Sequence, residues 1–113
     1  MTVAVNSTHL REEPTNHPHI VRVPSVCGGR SIVRGSRVAV WHIAQLFKAG
    51  RTMDEIVQEY PHLSAASIYD AISYYLDHQE EIERDILNNR IEAVLQQQDA
   101  VLDNKGFLRF QNR

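Results

Sequence analysis

Residues 27–50 read CGGRSIVRGSRVAVWHIAQLFKAG and contain four of the five glycines, the only tryptophan and no acidic residue. Within this stretch, Ser31–Val33 is a short apolar run with glycine-containing turns on both sides, a pattern typical of a β-strand. Ile20–Val23 is a second such run, and Pro24 ends it because proline donates no ladder hydrogen bond. The two runs predict a small β-hairpin, which must pack on other elements because two strands alone are marginally stable in water.

The apolar spacing changes to a helical period at about Val38 and predicts three helices after the hairpin. Gly50 stands where a C-cap glycine ends the first helix, and Thr52 with Glu55 forms the capping-box pattern that begins the second. Ser64 is the expected N-cap of a long third helix. The expected buried faces consist of Val40, Ile43, Ala44 and Phe47, then Met53, Ile56, Val57 and Tyr60, then Ile68, Ile72, Tyr75, Ile82 and Ile86.

The length of the chain indicates one small domain, and the pattern indicates a mainly α-helical one. A β-ribbon followed by a three-helix helix-turn-helix domain is expected over residues 20–86. Residues 1–19 show no apolar period and predict a flexible N-terminal arm. Asn88–Asn89 is expected to interrupt the third helix, so that residues 87–113 form a C-terminal helical and docking extension with a second apolar seam.

Charge is segregated along the chain, although the formal net charge is only −2. Residues 14–53 carry six basic side chains and no acidic one, whereas residues 54–103 carry twelve acidic side chains and two basic ones. A positive segment of this kind favours a polyanionic partner. Scattered surface charge is the simpler explanation of the same pattern.

The order of motifs from Gly28 to Tyr75 resembles a prokaryotic family of small proteins classed as a domain of unknown function. The family pattern is matched by Gly28, Gly29, Arg30, Ile32, Gly35, Ser36, Arg37, Val38 and Val40, and further along by Ala49, Gly50, Thr52, Glu55, Ile56, Tyr60, Pro61, Leu63 and Ser64. Ser31 stands where the family usually has proline. Its members are similar to VapB-type antitoxins, which are ribbon-flanked helix-turn-helix proteins, usually dimeric and often encoded beside a PIN-like toxin nuclease. The resemblance implies the same fold and such partners for residues 20–80.

An antitoxin-like, autoregulatory DNA-binding protein is therefore the first functional hypothesis. Arginine and lysine side chains in the ribbon and the helix turn would contact operator phosphates, and the start of the third helix would read base edges. The candidate DNA-binding residues are Arg30, Arg34, Arg37, Lys48 and Arg51 for the phosphates, with Ser64, Ser67 and Tyr69 for the bases. Arg37 has an alternative role, in which it pairs with an acidic residue of the long helix and holds the ribbon in place.

The acidic third helix raises an objection to DNA binding. Residues 64–83 contain no lysine or arginine, and Asp70 and Asp77 would repel a duplex if they faced it. The alternative function is a dimeric protein-interaction module that keeps the helix-turn-helix architecture and does not bind DNA.

The C-terminal extension is the candidate surface for a protein partner. The candidate partner-binding residues are Phe107, Leu108, Arg109, Phe110 and Arg113. The family resemblance implies a PIN-like nuclease as the partner, whose metal-binding carboxylates a guanidinium could contact without supplying metal ligands. A second copy of the chain is the other partner that the apolar seam suits.

The sequence predicts neither an enzyme nor a cofactor or metal site. His17, His19, Cys27 and His42 do not follow the spacing of zinc ligands, and the Gly28–Gly29 pair lacks the ending of a phosphate-binding loop. A single cysteine cannot form an internal disulfide, and the sequence shows neither a secretory leader nor an apolar run of membrane-spanning length. We therefore expect a cytoplasmic protein with no membrane partner.

Overall fold

The computed structural model describes residues 11–97, 100–102 and 108–110. Within them, a three-stranded antiparallel sheet precedes four helices, which confirms the predicted mainly α-helical class with an N-terminal hairpin. Strands β1, β2 and β3 span Glu13–Pro14, Ile20–Arg22 and Ser31–Val33. Helices α1, α2, α3 and α4 span Val40–Lys48, Met53–Glu59, Ala65–Asp77 and Gln79–Gln97. A separate antiparallel pair of strands follows, β4 at Ala100–Leu102 and β5 at Leu108–Phe110.

The predicted hairpin is formed by β2 and β3, which pair antiparallel with Ile20 opposite Val33. Their connection contains a 3-10 turn at Cys27–Gly29, in which the two glycines have φ angles of +64° and +80°. Glycine suits this turn because it has no β-carbon to clash at positive φ. The predicted glycine turn is therefore confirmed.

The local signals at the helix ends are also confirmed. The Thr52 hydroxyl accepts from the Glu55 amide at 3.1 Å, and the Glu55 carboxylate accepts from the Thr52 amide at 2.9 Å. The Ser64 hydroxyl accepts from the Ser67 amide at 3.1 Å. Gly50 follows the C-cap of α1 with a φ angle of +89°. These contacts satisfy backbone groups that a helix end leaves without partners.

The main core lies between the sheet and all four helices. Its buried members are Ile20, Val33, Val40, Ile43, Ala44, Ile56, Ile68, Ala71, Ile72, Tyr74, Tyr75, Ile82 and Ile86. A second, smaller cluster of Val21, Val23, Ile32 and Ala39 fills the other side of the sheet. Burial of apolar surface in these clusters is the main force that holds the helices on the sheet.

The third helix is shorter than predicted. It ends at Asp77. Its C-cap residue, His78, leaves the helical region with φ −132° and ψ 49°, and α4 begins at the next residue. The predicted interruption at Asn88–Asn89 is wrong, because α4 runs through both residues. The break lets Ile82 and Ile86 turn back onto the core instead of continuing along one straight helix.

The prediction of a flexible arm over residues 1–19 fails for its second half. β1 pairs with β2, and His17 is only 8% exposed, beside α3. Residues 1–10 lie outside the described part of the chain. The apolar pattern does not show this packing because a histidine and hydrogen bonds, rather than an apolar seam, hold the segment in place.

The predicted partner segment is only partly described. Leu108, Arg109 and Phe110 form β5 and pair with β4, whereas Phe107 and Arg113 lie outside the described residues. Among the described helices, none is both long and apolar enough to cross a bilayer.

Candidate functional site

The helix-turn-helix unit consists of α2 and α3, which are joined by residues 60–64. Ser64, Ala65 and Ala66 are exposed at the start of α3, and Tyr69 follows on the same side with 53% of its surface exposed. Helix α3 therefore presents a small, uncharged surface at the position where a recognition helix would meet DNA.

Two of the predicted reader residues fit this surface, and one does not. Ser64 and Tyr69 are exposed, but Ser67 is buried, and its hydroxyl donates to the Ser64 carbonyl at 2.7 Å. The prediction that Ser67 reads a base is therefore wrong, because its side chain faces the domain interior. The sequence pattern did not show which side chains in the first turn of α3 face solvent and which face the interior.

The two acidic residues of α3, Asp70 and Asp77, both contact His17. Asp70 accepts from His17 and from the backbone amide of His19, each at 2.9 Å. Asp77 accepts from the other ring nitrogen of His17, also at 2.9 Å. Asp70 therefore points toward the N-terminal segment and would not face a duplex, whereas the Asp77 side chain is 63% exposed and keeps its part of the objection.

His17 uses both ring nitrogens for carboxylates, so neither nitrogen is available as a metal ligand. Within the residues that the structure describes, no three histidine, cysteine, aspartate or glutamate side chains are grouped where they could hold a metal ion.

The two predicted phosphate-binding arginines that flank β3 form ion pairs within the chain. Arg30 lies 3.6 Å from Asp85 and 3.9 Å from Glu92, both on α4. Burial raises the pKa of Asp85, although the charge of Arg30 opposes that rise. Arg34 lies 3.1 Å from Glu12, in the segment before β1. Both arginines therefore have carboxylate partners of their own.

The cations at the turn between α1 and α2 are paired as well. Lys48 donates to Glu83 at 2.6 Å, and the Tyr75 hydroxyl donates to the other oxygen of that carboxylate at 2.6 Å. The hydrogen bonds from Lys48 and Tyr75 lower the pKa of Glu83, and the bond to Glu83 raises the pKa of Tyr75 to about 12. This three-residue cluster joins α1, α3 and α4.

Arg51 lies between two carboxylates of α2. It is 3.6 Å from Glu55 and 3.2 Å from Glu59. Four of the five predicted phosphate contacts are thus occupied by the protein's own acidic residues. The pairs of Arg34, Lys48 and Arg51 are partly exposed and contribute at most about 1 kcal/mol each, so an anion can displace them. The pair of Arg30 with Asp85 is more buried.

Arg37 differs from the other four cations. It is exposed and forms no ion pair with any residue that the structure describes. The alternative prediction, that Arg37 pairs with an acidic residue of the long helix, is therefore not met among those residues. Its backbone carbonyl accepts from the Cys27 thiol at 3.3 Å, which ties the two turns of the ribbon together.

Arg22 takes the structural role that the sequence suggested for Arg37. Its guanidinium lies 2.8 Å from Glu81 and donates to the Tyr74 hydroxyl at 3.0 Å, and that hydroxyl donates to Glu81 at 2.8 Å. Strand β2 is thereby joined to α3 and α4. One sequence signal for this structural role was available, which is the position of Arg22 between the apolar residues Val21 and Val23 of the predicted strand.

Among the residues whose burial the structure describes, four large apolar side chains are exposed, in pairs on two helices. Tyr69 and Leu76 lie seven residues apart on α3, and Leu87 and Ile91 lie four residues apart on α4. Both spacings place the two members on one face of a helix. On α4, half-buried Val94 and Leu95 continue the stripe.

Comparisons with known proteins find a match to part of the chain in a family without an assigned function. Residues 20–75 match the family model described as "Protein of unknown function (DUF433)", which agrees with the resemblance to a domain-of-unknown-function family. The crystal structure of a DUF433 member protein from Anabaena variabilis ATCC 29413 is similar to this chain. The two are 29% identical with a TM-score of 0.58, over 75% of this chain and 79% of that one. No curated protein matches the chain.

Proposed function

We propose that this protein is a dimeric protein-interaction module built on a helix-turn-helix domain, in which two copies meet through α4. The observation that supports this most is the apolar stripe of α4, where Leu87 is 52% and Ile91 is 43% exposed. Leucine and isoleucine at this spacing are typical of a helix that packs against another helix. A second copy would cover the stripe and gain the free energy of burying it.

The ion pairs of the basic residues favour this function over a DNA grip. Arg30, Arg34, Lys48 and Arg51 each lie within 4 Å of a carboxylate of the same chain. Affinity for nucleic acid comes largely from cations that neutralise phosphates. A protein whose cations are already neutralised has a weaker attraction for a duplex, whereas self-association through an uncharged stripe is unaffected.

The oligomeric state tests the dimer. Sedimentation equilibrium should show a dimer for the wild type and a monomer for the Leu87→Glu and Ile91→Glu variants, because each change places a charge in the dimer contact. Leu76→Glu is the matched control, since it introduces the same charge on α3 and should leave the dimer intact. A wild type that stays monomeric at every concentration, or an Ile91→Glu variant that still dimerises, contradicts the proposal.

A second candidate function is that of an antitoxin-like transcription regulator in the cytoplasm, as the family resemblance implies. It is favoured by the uncharged, exposed start of α3 and by the inward orientation of Asp70. Operator phosphates would then displace the carboxylates from Lys48 and Arg51. Arg37, which has no carboxylate to lose among the described residues, would contact the DNA backbone directly. The C-terminal residues, including Arg109 and Arg113, would bind a PIN-like nuclease.

Removal of the competing carboxylates distinguishes the two functions. If the protein binds operator DNA, Glu59→Gln and Glu83→Gln should raise duplex affinity, and Arg37→Glu should lower it at low ionic strength. Glu80→Gln is the control, because it removes the same charge from an exposed residue. Fluorescence anisotropy with a labelled duplex at two salt concentrations measures the effect. If the anisotropy of the duplex were the same with all four variants and did not depend on salt, the protein would not be a DNA-binding regulator.

A further inference from the structure

A cleft of about 520 Å³ lies where the ribbon, the start of α1 and the end of α2 meet. Its volume is within the range of about 300–1,000 Å³ that small-molecule sites occupy. The cleft is lined by apolar, aromatic and basic side chains, and none of its described lining residues is acidic. The lining includes no residue of α3 or α4, although Arg30 in the lining pairs with Asp85 and Glu92 of α4.

One part of the lining is a group of three rings. The His42 ring lies edge-on to the Trp41 ring, with centroids 5.3 Å apart, and its Nδ1 atom lies 2.7 Å from the Tyr60 hydroxyl. Burial, and secondarily the charge of Glu59, raise the pKa of Tyr60, so its hydroxyl keeps the proton that it donates to Nδ1. The other ring nitrogen of His42, Nε2, makes no hydrogen bond to a residue that the structure describes, so a ligand can bind there.

The other part of the lining is a pair of guanidinium groups. Arg37 is exposed and has no ion-pair partner among the described residues, and Arg30 holds its two carboxylates only at 3.6 and 3.9 Å. These are longer contacts than the 2.6 to 3.2 Å that Lys48, Arg34 and Arg51 make with their nearest carboxylates. A phosphate would therefore meet Arg37 directly and would replace the two longer carboxylate contacts of Arg30, and its several oxygens suit two guanidinium groups.

We propose that this cleft binds a nucleotide, with its base against Trp41 and His42 and its phosphate at Arg30 and Arg37. Aromatic side chains next to basic ones are a general means of holding a base and its phosphate together, because every base has a face that stacks. A free mononucleotide and a nucleotide within a single strand offer the same chemistry. The experiment therefore includes both.

The fluorescence of Trp41, the only tryptophan of the chain, reports binding directly. Titration with adenosine monophosphate should quench it to saturation, whereas adenosine or inorganic phosphate alone should act much more weakly. A comparison of a short oligothymidylate with thymidine monophosphate shows which ligand the cleft prefers. Tighter binding of the oligothymidylate indicates a single strand, and equal affinities indicate a free nucleotide.

Arg37→Met should weaken the binding of adenosine monophosphate about tenfold or more, because it removes a charge-assisted hydrogen-bond donor. Arg34→Met is the matched control, since Arg34 is an exposed arginine of the same ribbon that does not line the cleft. Neither side chain is part of the core, so both variants should fold, which circular dichroism verifies. Absence of saturable quenching, equal binding of inorganic phosphate, or an equal loss in both variants would overturn the proposal.

Discussion

His17 and Asp70 are separated by 53 residues in the sequence, yet Nδ1 of His17 lies 2.9 Å from a carboxylate oxygen of Asp70. The other ring nitrogen lies 2.9 Å from Asp77. Because both neighbours are carboxylates, both nitrogens donate and the bound form is the imidazolium. Burial alone lowers the pKa of His17, but the hydrogen bonds and charges of Asp70 and Asp77 outweigh it and raise the pKa above its ordinary value.

This pair makes the stability of the protein depend on pH. Because the pKa of His17 is higher in the folded state than in the unfolded state, protonated His17 stabilises the fold. This contribution is complete below the unfolded pKa of about 6.5, and it is lost as the pH rises through the folded pKa. The rings of Tyr74 and His78, which lie beside His17, complete its surroundings. We therefore expect the urea concentration at the unfolding midpoint to fall as the pH rises above about 6.5.

The replacement His17→Gln should remove most of that fall and lower stability on the acidic side. His62→Gln is the control, because His62 is exposed and should leave the slope unchanged. An unchanged slope in the His17 variant would show that other groups control the pH dependence.

The Tyr74 hydroxyl is expected to contribute to stability, because it is buried and bonded to Arg22 and Glu81. Tyr74→Phe should lower the free energy of unfolding by about 1–2 kcal/mol, since it removes hydrogen bonds to charged groups. Tyr69→Phe removes the same hydroxyl from an exposed tyrosine and should change the free energy by less than about 0.5 kcal/mol. Urea denaturation of both variants measures the difference, and equal effects would show that the buried bonds contribute nothing.

Ser31 is a buried residue whose hydroxyl lies without a hydrogen-bond partner in the described part of the chain. Removing such a hydroxyl also removes its desolvation cost, so Ser31→Ala should leave stability unchanged or raise it by up to about 1 kcal/mol. The buried Ser67 provides the opposite case, because its hydroxyl donates to the Ser64 carbonyl. Thermal denaturation should therefore show Ser67→Ala less stable than the wild type and Ser31→Ala not less stable.

Replacements at Gly50 test how much backbone strain at the end of α1 affects stability. Its φ angle is +89°, and a β-carbon added there would meet no atom within 4 Å. Gly50→Ala should therefore cost about 1–2 kcal/mol, the usual penalty for an L-residue in the left-handed region. Gly50→Asn should cost less, because asparagine tolerates that region better. Equal losses from both replacements would point to a cause other than the backbone angle.

The features predicted correctly are those that depend on neighbouring residues. The capping box of Thr52 and Glu55, the cap at Ser64 and the glycine turn all have local causes, so a short stretch of sequence is enough to recognise them. The helix break at His78 was missed, although Gln79 occupies the polar gap in the apolar seam and marked its position. The seam residues themselves were predicted correctly as buried.

The features that were missed depend on residues far apart in the chain. The sequence shows that residues 14–53 are basic and residues 54–103 acidic, but not that Lys48 meets Glu83 or that Arg30 meets Asp85. The packing of His17 on α3 also depends on residues that are far apart in the sequence. Pairings of this kind follow from tertiary geometry, which residue types alone do not fix.

The break at His78 has a further electrostatic consequence. By turning α4 back across the domain, it brings Glu81, Glu83 and Asp85 within reach of the basic residues on the sheet and on α1. The acidic half of the chain thus acts as a covalently tethered counterion layer for the basic half. A polyanion that binds at Arg22, Arg30 or Lys48 must exchange places with this layer, whereas Arg37 has no such carboxylate partner among the described residues.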